Sequence, residues 1–235
     1  MTGGVGIGTA IVSYIEPHPG SARDFNRWYE RDHFPAAVMA GPGAYAGGRF
    51  VATSECKEAR LPGDLFGDPR RGSYLSIAWL LPEAQAGWDA WIGPQMESLV
   101  TDGRMFAGRD HLHTAVYTFW WENDFRDATA SMAFDHRYSG VIAIALTGDD
   151  DSERWAAGLV GPELPVIAAL RRERVLVSTL GEPASRVLLL AFVDGDVLDV
   201  WSRLAAPALA ARADVGFAGP FLATIPGTDT YTDEL

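Results

Sequence analysis

The sequence predicts an α+β fold made of two tandem β-α-β-β-α-β units. Three observations carry that prediction. Strand-like and helix-like stretches follow the same order in both halves of the 235 residues. The first helical segment of each half aligns with the other, "DFNRWYERDHFP" with "DSERWAAGLVGP", which puts Trp28 over Trp155 and Pro35 over Pro162 at one constant offset. The strands are apolar on both faces, as in "VLLLAFV" and "HTAVYTFWW", so a sheet with helices on one side still needs a partner on the other.

The elements follow in order. "GTAIVSYIEP" alternates and is β-branched, which predicts a strand. "SARDFNRWYERDHFPAAVMA" predicts a helix, with Ser21 or Asp24 as its N-cap. "AYAGGRFVATS" and "SYLSIAWLLP" predict two strands. "EAQAGWDAWIGPQMESLVTDG" predicts a helix kinked near Gly93–Pro94, and "HLHTAVYTFWWE" the strand that closes the half. In the second half "SGVIAIALTG" is a strand, and "DDSERWAAGLVGPELPVIAAL" is a helix interrupted near Gly161–Pro162. "RERVLVSTLG" and "SRVLLLAFVDG" are strands, "DVLDVWSRLAAPALAARA" is a helix and "VGFAGPFLATIP" is the last strand. This is the ferredoxin-like order twice over, assigned to residues 1–128 and 129–235, with a polar linker at 123–139. The two antiparallel sheets are expected to pack as an α+β barrel with a pocket between them. The loop 55–72 inserts in the first unit alone and reads either as a lid or as a solvated excursion.

Composition removes several function classes. Hydrophobic residues make up 48% of the chain, enough for a packed core. A formal charge of -12 repels phosphate backbones and anionic membranes, so neither nucleic acid nor membrane is expected as a partner. Cys56 is the only cysteine, which rules out an internal disulfide and any multi-cysteine metal site; it reads as an inert residue where a strand runs into a loop. "MTGGVGIGTAIVSYIEP" has no basic residue ahead of its apolar run and is unlike a secretory signal, so a cytoplasmic protein is expected. "GGVGIG" precedes a strand rather than following one, which is the wrong geometry for a phosphate loop.

The stretch "DFNRWYERDHFP" followed by "GPGAYAGGRF" resembles the dimeric α+β barrel superfamily, and its EthD-like branch in particular. The pattern is an aromatic pair, a histidine a few residues on, a proline, a Pro–Gly turn and an arginine in the next strand. Trp28, Tyr29, His33, Pro35, Pro42–Gly43 and Arg49 fill those places. The resemblance is strongest over residues 9–52. It implies a barrel often assembled from two chains, with an internal ligand pocket and chemistry that ranges over cofactor-free lyases, isomerases, polyketide cyclases, monooxygenases and haem enzymes. Here two units are fused, so the site is expected once per chain. Ala156 and Val160 stand opposite Tyr29 and His33, which makes the second unit mainly structural.

Residues four apart share a helix face, so Phe25, Tyr29 and His33 form one row with Trp28 beside it. A histidine at the end of that buried row is partly desolvated and neutral, fit to act as a general base. Asp32 points roughly 100° away and is not its obvious partner. Tyr29 could bond His33 or a ligand oxygen. Arg49 could hold a carboxylate or enolate oxygen, or simply pair with Asp32 or Glu30. Together these make His33, Tyr29 and Arg49 the candidate catalytic residues, with Trp28, Trp79, Phe25 and Tyr117 as candidate substrate contacts. The expected function is a cofactor-independent lyase, isomerase or cyclase that moves a proton on a hydrophobic carbonyl compound. One alternative is a haem or oxygen enzyme with His33 or His113 as axial ligand, and another is a non-catalytic binding module. His111 and His113 are expected on one strand face, without a third metal ligand, so no metal is assigned. The fused chain is expected as a monomeric pseudo-dimer or a homodimer.

Overall fold

The computed structural model of the chain describes residues 6–61, 63, 65–123, 131, 136–148, 151–159 and 161–235. Eight strands close into an antiparallel barrel: β1 (Thr9–Pro17), β2 (Ala44–Val51), β3 (Tyr74–Leu80), β4 (Arg109–Glu122), β5 (Gly140–Leu146), β6 (Val166–Ser178), β7 (Val187–Val193) and β8 (Val215–Ala223). Their order round the barrel is β1-β3-β2-β8-β5-β7-β6-β4. Within the first half the sheet runs β4-β1-β3-β2, and within the second β8-β5-β7-β6, which is the same arrangement of fourth, first, third and second strand. Closure removes every free sheet edge.

The two seams between the halves are unequal. β4 pairs with β6 from His113↔Ser178 to Glu122↔Ala168. β2 meets β8 through Phe50↔Ala223 and Val51↔Leu222 alone. The short seam leaves room for a cavity, described below.

Alternation divides the strands between two faces. Ala10, Val12 and Tyr14 of β1, Leu75, Ile77 and Trp79 of β3 and Ala115 and Tyr117 of β4 point into the lumen, where they pack with Phe192, Phe217 and Phe221. The other face takes the helices. α1 (Ala22–Trp28) covers Ile15, Val51 and Tyr74 through Phe25 and Tyr29. α3 (Gln85–Thr101) covers Ile11, Ala78, Leu80 and Val116 through Trp88. In the second half α4 (Ser152–Ala157) and α5 (Val197–Val200), with the turns that extend α5 to Ala210, do the same through Ala156, Trp201 and Leu209.

Several expectations need correction. The helix predicted across 150–170 stops at Ala157, and Val166–Leu170 open strand β6. Gly158, Pro162 and Pro165 break the helix, and β-branched Val166 and Ile167 favour the strand. Val160 lies outside the described residues, as does most of the predicted linker. Cys56 is on a short helix, α2 (Ser54–Glu58), capped by Thr53, and is fully buried. The loop 55–72 plugs one end of the barrel. Cys56, Leu65 and Phe66 join the lumen core. Arg60 donates to the carbonyls of Pro69, Arg71 and Gly72 at 2.9, 2.6 and 2.9 Å, and its guanidinium lies over Phe221 and Phe217 at 4.7 and 5.3 Å.

Candidate active site beneath the first helix

Pro35 has no N–H to donate, so the helix that begins as α1 cannot continue with regular bonds across that point. It widens instead into two π-helical turns, Tyr29–His33 and Pro35–Met39, and Phe34 N–H reaches back five residues to the Tyr29 carbonyl. Five residues apart on a regular helix would be roughly 140° apart. The wide turn brings Trp28 and His33 into register: their rings stack with centroids 4.5 Å apart and planes 25° inclined. Such turns recur where function needs an unusual side-chain placement.

His33 is half-buried between this helix and the outer face of the barrel. Its Nδ1 is buried without a hydrogen-bond partner. Tyr29 lies on its other side, ring centroids 5.3 Å apart. Burial holds the His33 pKa down to about 4; the nearby Arg109 and His111 push the same way, and Asp32 opposes them weakly. Asp32 itself is taken by Arg104. Arg109, the first residue of β4, lies over Trp28 at 4.6 Å, and burial lowers its own pKa.

A polar row crosses the sheet under the helix. Tyr29 Oη shares a hydrogen bond with Ser76 Oγ at 2.7 Å, so Tyr29 bonds Ser76 rather than His33. Thr114 Oγ1 donates to Ser13 Oγ at 2.8 Å and also contacts His111 Nε2. Burial raises the Tyr29 pKa, moderated by Ser76, Arg49 and Arg109. Arg49 donates to Asn26 Oδ1 at 2.9 Å, approaches Glu30 at 3.7 Å and lies over the Tyr29 ring at 5.1 Å. His33 and Arg49 therefore flank one tyrosine.

Arg49 and Trp79 share the cavity at the short seam. Its volume is about 730 Å³, within the range of small-molecule pockets, and Phe34, Phe50, Tyr138, Phe192 and Tyr231 give it aromatic walls. Glu30 and Arg137 add charge to its lining and His136 adds an imidazole. The strand parity that the sequence left open is settled: Trp79 faces the lumen and this cavity. Tyr117 also faces the lumen, 4% exposed, and Phe25 is fully buried under α1; neither lines this cavity. His33 does not line it either, being on the outer side of the barrel wall. The glycines before Arg49 admit the helix: a Cβ on Gly47 would meet Phe34 Cζ at 2.6 Å and Met39 Sδ at 2.7 Å.

His111 and His113 do not share a face. A bulge between the Tyr14 and Ile15 partners leaves Leu112 unpaired, which sends His111 outward and His113 into the lumen. His113 is fully buried with both ring nitrogens unpartnered, beside the equally orphaned Tyr14 hydroxyl. No group of three or more His, Cys, Asp or Glu side chains is placed to hold a metal among the described residues. A haem over His113 would have to displace the packed rings of Tyr14, Phe66 and Phe217. Sequence reasoning missed Arg109 and Thr114 of β4 and Ser76 of β3; only the folded sheet brings them under the helix.

No family model matches the chain, and no curated protein matches it. Among solved structures it is similar to one described as an anthrone oxidase-like protein, at 10% identity over 94% of each chain with a TM-score of 0.52. Two others are described as a "putative monooxygenase". One, from Fusobacterium nucleatum, is 10% identical over 94% of each chain with a TM-score of 0.45. The other, from Lactobacillus acidophilus, is 8% identical over 92% of this chain and 93% of that one, with a TM-score of 0.38. The first shows a related barrel fold. Among the described residues, no helix is long and apolar enough to cross a membrane.

Proposed function

We propose that the chain is an enzyme that removes a proton from a hydrophobic, carbonyl-bearing small molecule, with His33 as the base. The observation that carries this reading is a neutral imidazole, its Nδ1 unpartnered, stacked on Trp28 between Tyr29 and Arg109. A carbon acid next to a carbonyl loses its proton to the imidazole, and the electron pair moves onto the carbonyl oxygen as an enolate. That oxyanion, with Tyr29, Arg109 and Arg49 as the groups that hold it, stabilises the imidazolium beside it and so raises the basicity of His33 in the complex. Trp28, packed on Phe25, supplies a flat wall for an aromatic substrate beside His33.

From the enolate, isomerisation, cyclisation or decarboxylation needs no cofactor. A second reading sends the enolate to molecular oxygen, which oxidises a methylene to a carbonyl and releases water. The structural neighbour described as anthrone oxidase-like bears the name of an aromatic ketone, which favours this outcome. The two are separated by incubating the protein with anthrone under argon and in air. An enolate absorption band under argon supports proton abstraction; oxygen uptake in air that exceeds the uncatalysed rate adds the second reading; neither signal would refute both.

The halves are read as tandem ferredoxin-like units on the EthD-like plan, fused into a pseudo-dimer that acts on a small hydrophobic molecule in the cytoplasm. In support, both halves share one strand order, and Arg109 over Trp28 at 4.6 Å is echoed by Arg212 over Trp155 at 5.1 Å.

A further inference from the structure

The chain has 19 basic residues of the Lys and Arg kinds, and one of them, Lys57, is a lysine. At every other such position a guanidinium stays protonated at ordinary pH; an ammonium can give its proton up. Lys57 is on α2, 8% exposed, and lines a second cavity of about 900 Å³ at the plugged end of the barrel. Among the described residues no carboxylate lies within ion-pair distance of its Nζ. Its one hydrogen bond goes to Ser73 Oγ at 3.0 Å. Ser73 Oγ in turn donates to Glu16 at 2.8 Å, and Ser73 N–H holds the same carboxylate at 2.8 Å. Glu16 lines the same cavity.

The hydrogen bonds therefore run in one direction, from the ammonium through a hydroxyl to a carboxylate. Burial lowers the Lys57 pKa, and Glu16 opposes that shift. The remaining wall is mixed: His18 and Arg71 both bond Asp110, and Pro17, Ala22 and Leu235 add apolar surface.

We propose that Lys57 is a nucleophilic amine that condenses with a small polar aldehyde or ketone admitted to this cavity. The ammonium passes a proton through Ser73 to Glu16. The free amine adds to the carbonyl carbon as the C–O π bond opens, and the oxygen takes up the proton that the nitrogen sheds, giving a neutral carbinolamine. Its hydroxyl leaves as water with a proton returned from Glu16, and a C=N bond remains. No oxidant or reductant is involved. The side of the wall formed by His18, Arg71 and Asp110 suits hydroxylated carbonyl compounds, unlike the aromatic cavity at the short seam.

The test uses the fact that the chain's amines are Lys57 and the α-amino group. The folded protein is incubated with glycolaldehyde and sodium cyanoborohydride at pH 7, and the reduced adduct is located by peptide mass spectrometry. Lys57 in the folded protein is expected to label at least 10-fold faster than the same residue in urea-unfolded chain, and Glu16→Gln is expected to slow it about 10-fold. Lys57→Arg removes that label. Labelling no faster in the folded chain than in the unfolded one would overturn the proposal, as would an undiminished rate in folded Glu16→Gln.

Discussion

The imidazole of His33 lies flat against the indole of Trp28, ring centroids 4.5 Å apart. That contact keeps water off one face of the ring, and burial is the first cause of its lowered pKa. NMR titration should find the His33 ring protons changing near pH 4 rather than near 6.5. His33→Ala should cost about 100- to 10,000-fold in turnover of the aromatic ketone, the usual range for a lost general base. Its melting temperature should change little, because the ring makes no hydrogen bond that would be left open.

Pro35 creates the wide turn that makes the stack, so Pro35→Ala should let the helix relax toward regular bonding. His33 would then rotate off Trp28. The expected result is a folded protein with the His33 pKa moved up toward 6.5 and turnover reduced at least 10-fold. Circular dichroism checks the fold, and titration checks the ring.

Acid should destabilise the chain in a defined window. His33, His111 and His113 are each held down from 6.5 to about 4, in every case chiefly by burial. Between those values the unfolded chain binds protons that the folded chain does not, so stability falls as pH drops from 6.5 toward 4. For fully buried His113 the slope approaches about 1.4 kcal/mol per pH unit. Both His113 nitrogens are unpartnered, and an unpaired buried polar group costs about 1–3 kcal/mol. His113→Leu should therefore raise stability at pH 7 by about 1 kcal/mol and flatten the acid slope, as read from urea unfolding at several pH values.

Arg60 braces the plug from within through the carbonyls of Pro69, Arg71 and Gly72 and packs it on the barrel through the faces of Phe217 and Phe221. Arg60→Met would leave those carbonyls without donors and should destabilise the fold by about 3 kcal/mol or more. A plug is structural where a lid would not be. The loss should appear in urea unfolding even with the aromatic ketone absent.

Much of the architecture was legible in the residues. Strand alternation, the repeated element order and the two-faced apolar strands pointed to eight strands in two sheets packed as an α+β barrel; in the structure they close into one barrel. Two features were hidden. The helix predicted at 150–170 ran on too far because "PVIAAL" is as apolar as a buried helix, and its period is too short to separate the two. The outward turn of His111 and inward turn of His113 depend on a bulge, and nothing in "HLH" announces one. For the site, the row Phe25–Tyr29–His33 was readable from helical spacing. The stack of Trp28 on His33 was not, because it needs a π turn in place of regular helix. Nor could one sequence show that His33 sits outside the barrel wall while Trp79 sits within it, since that depends on which face of the sheet the helix covers.

The central claim is that His33 takes a proton from carbon, and exchange with solvent deuterium measures it most directly. Anthrone in D2O under argon should gain deuterium at its acidic C–H position at least 100-fold faster with the wild-type protein than with His33→Ala, both shown to be folded. Equal exchange rates from the two proteins would contradict the account.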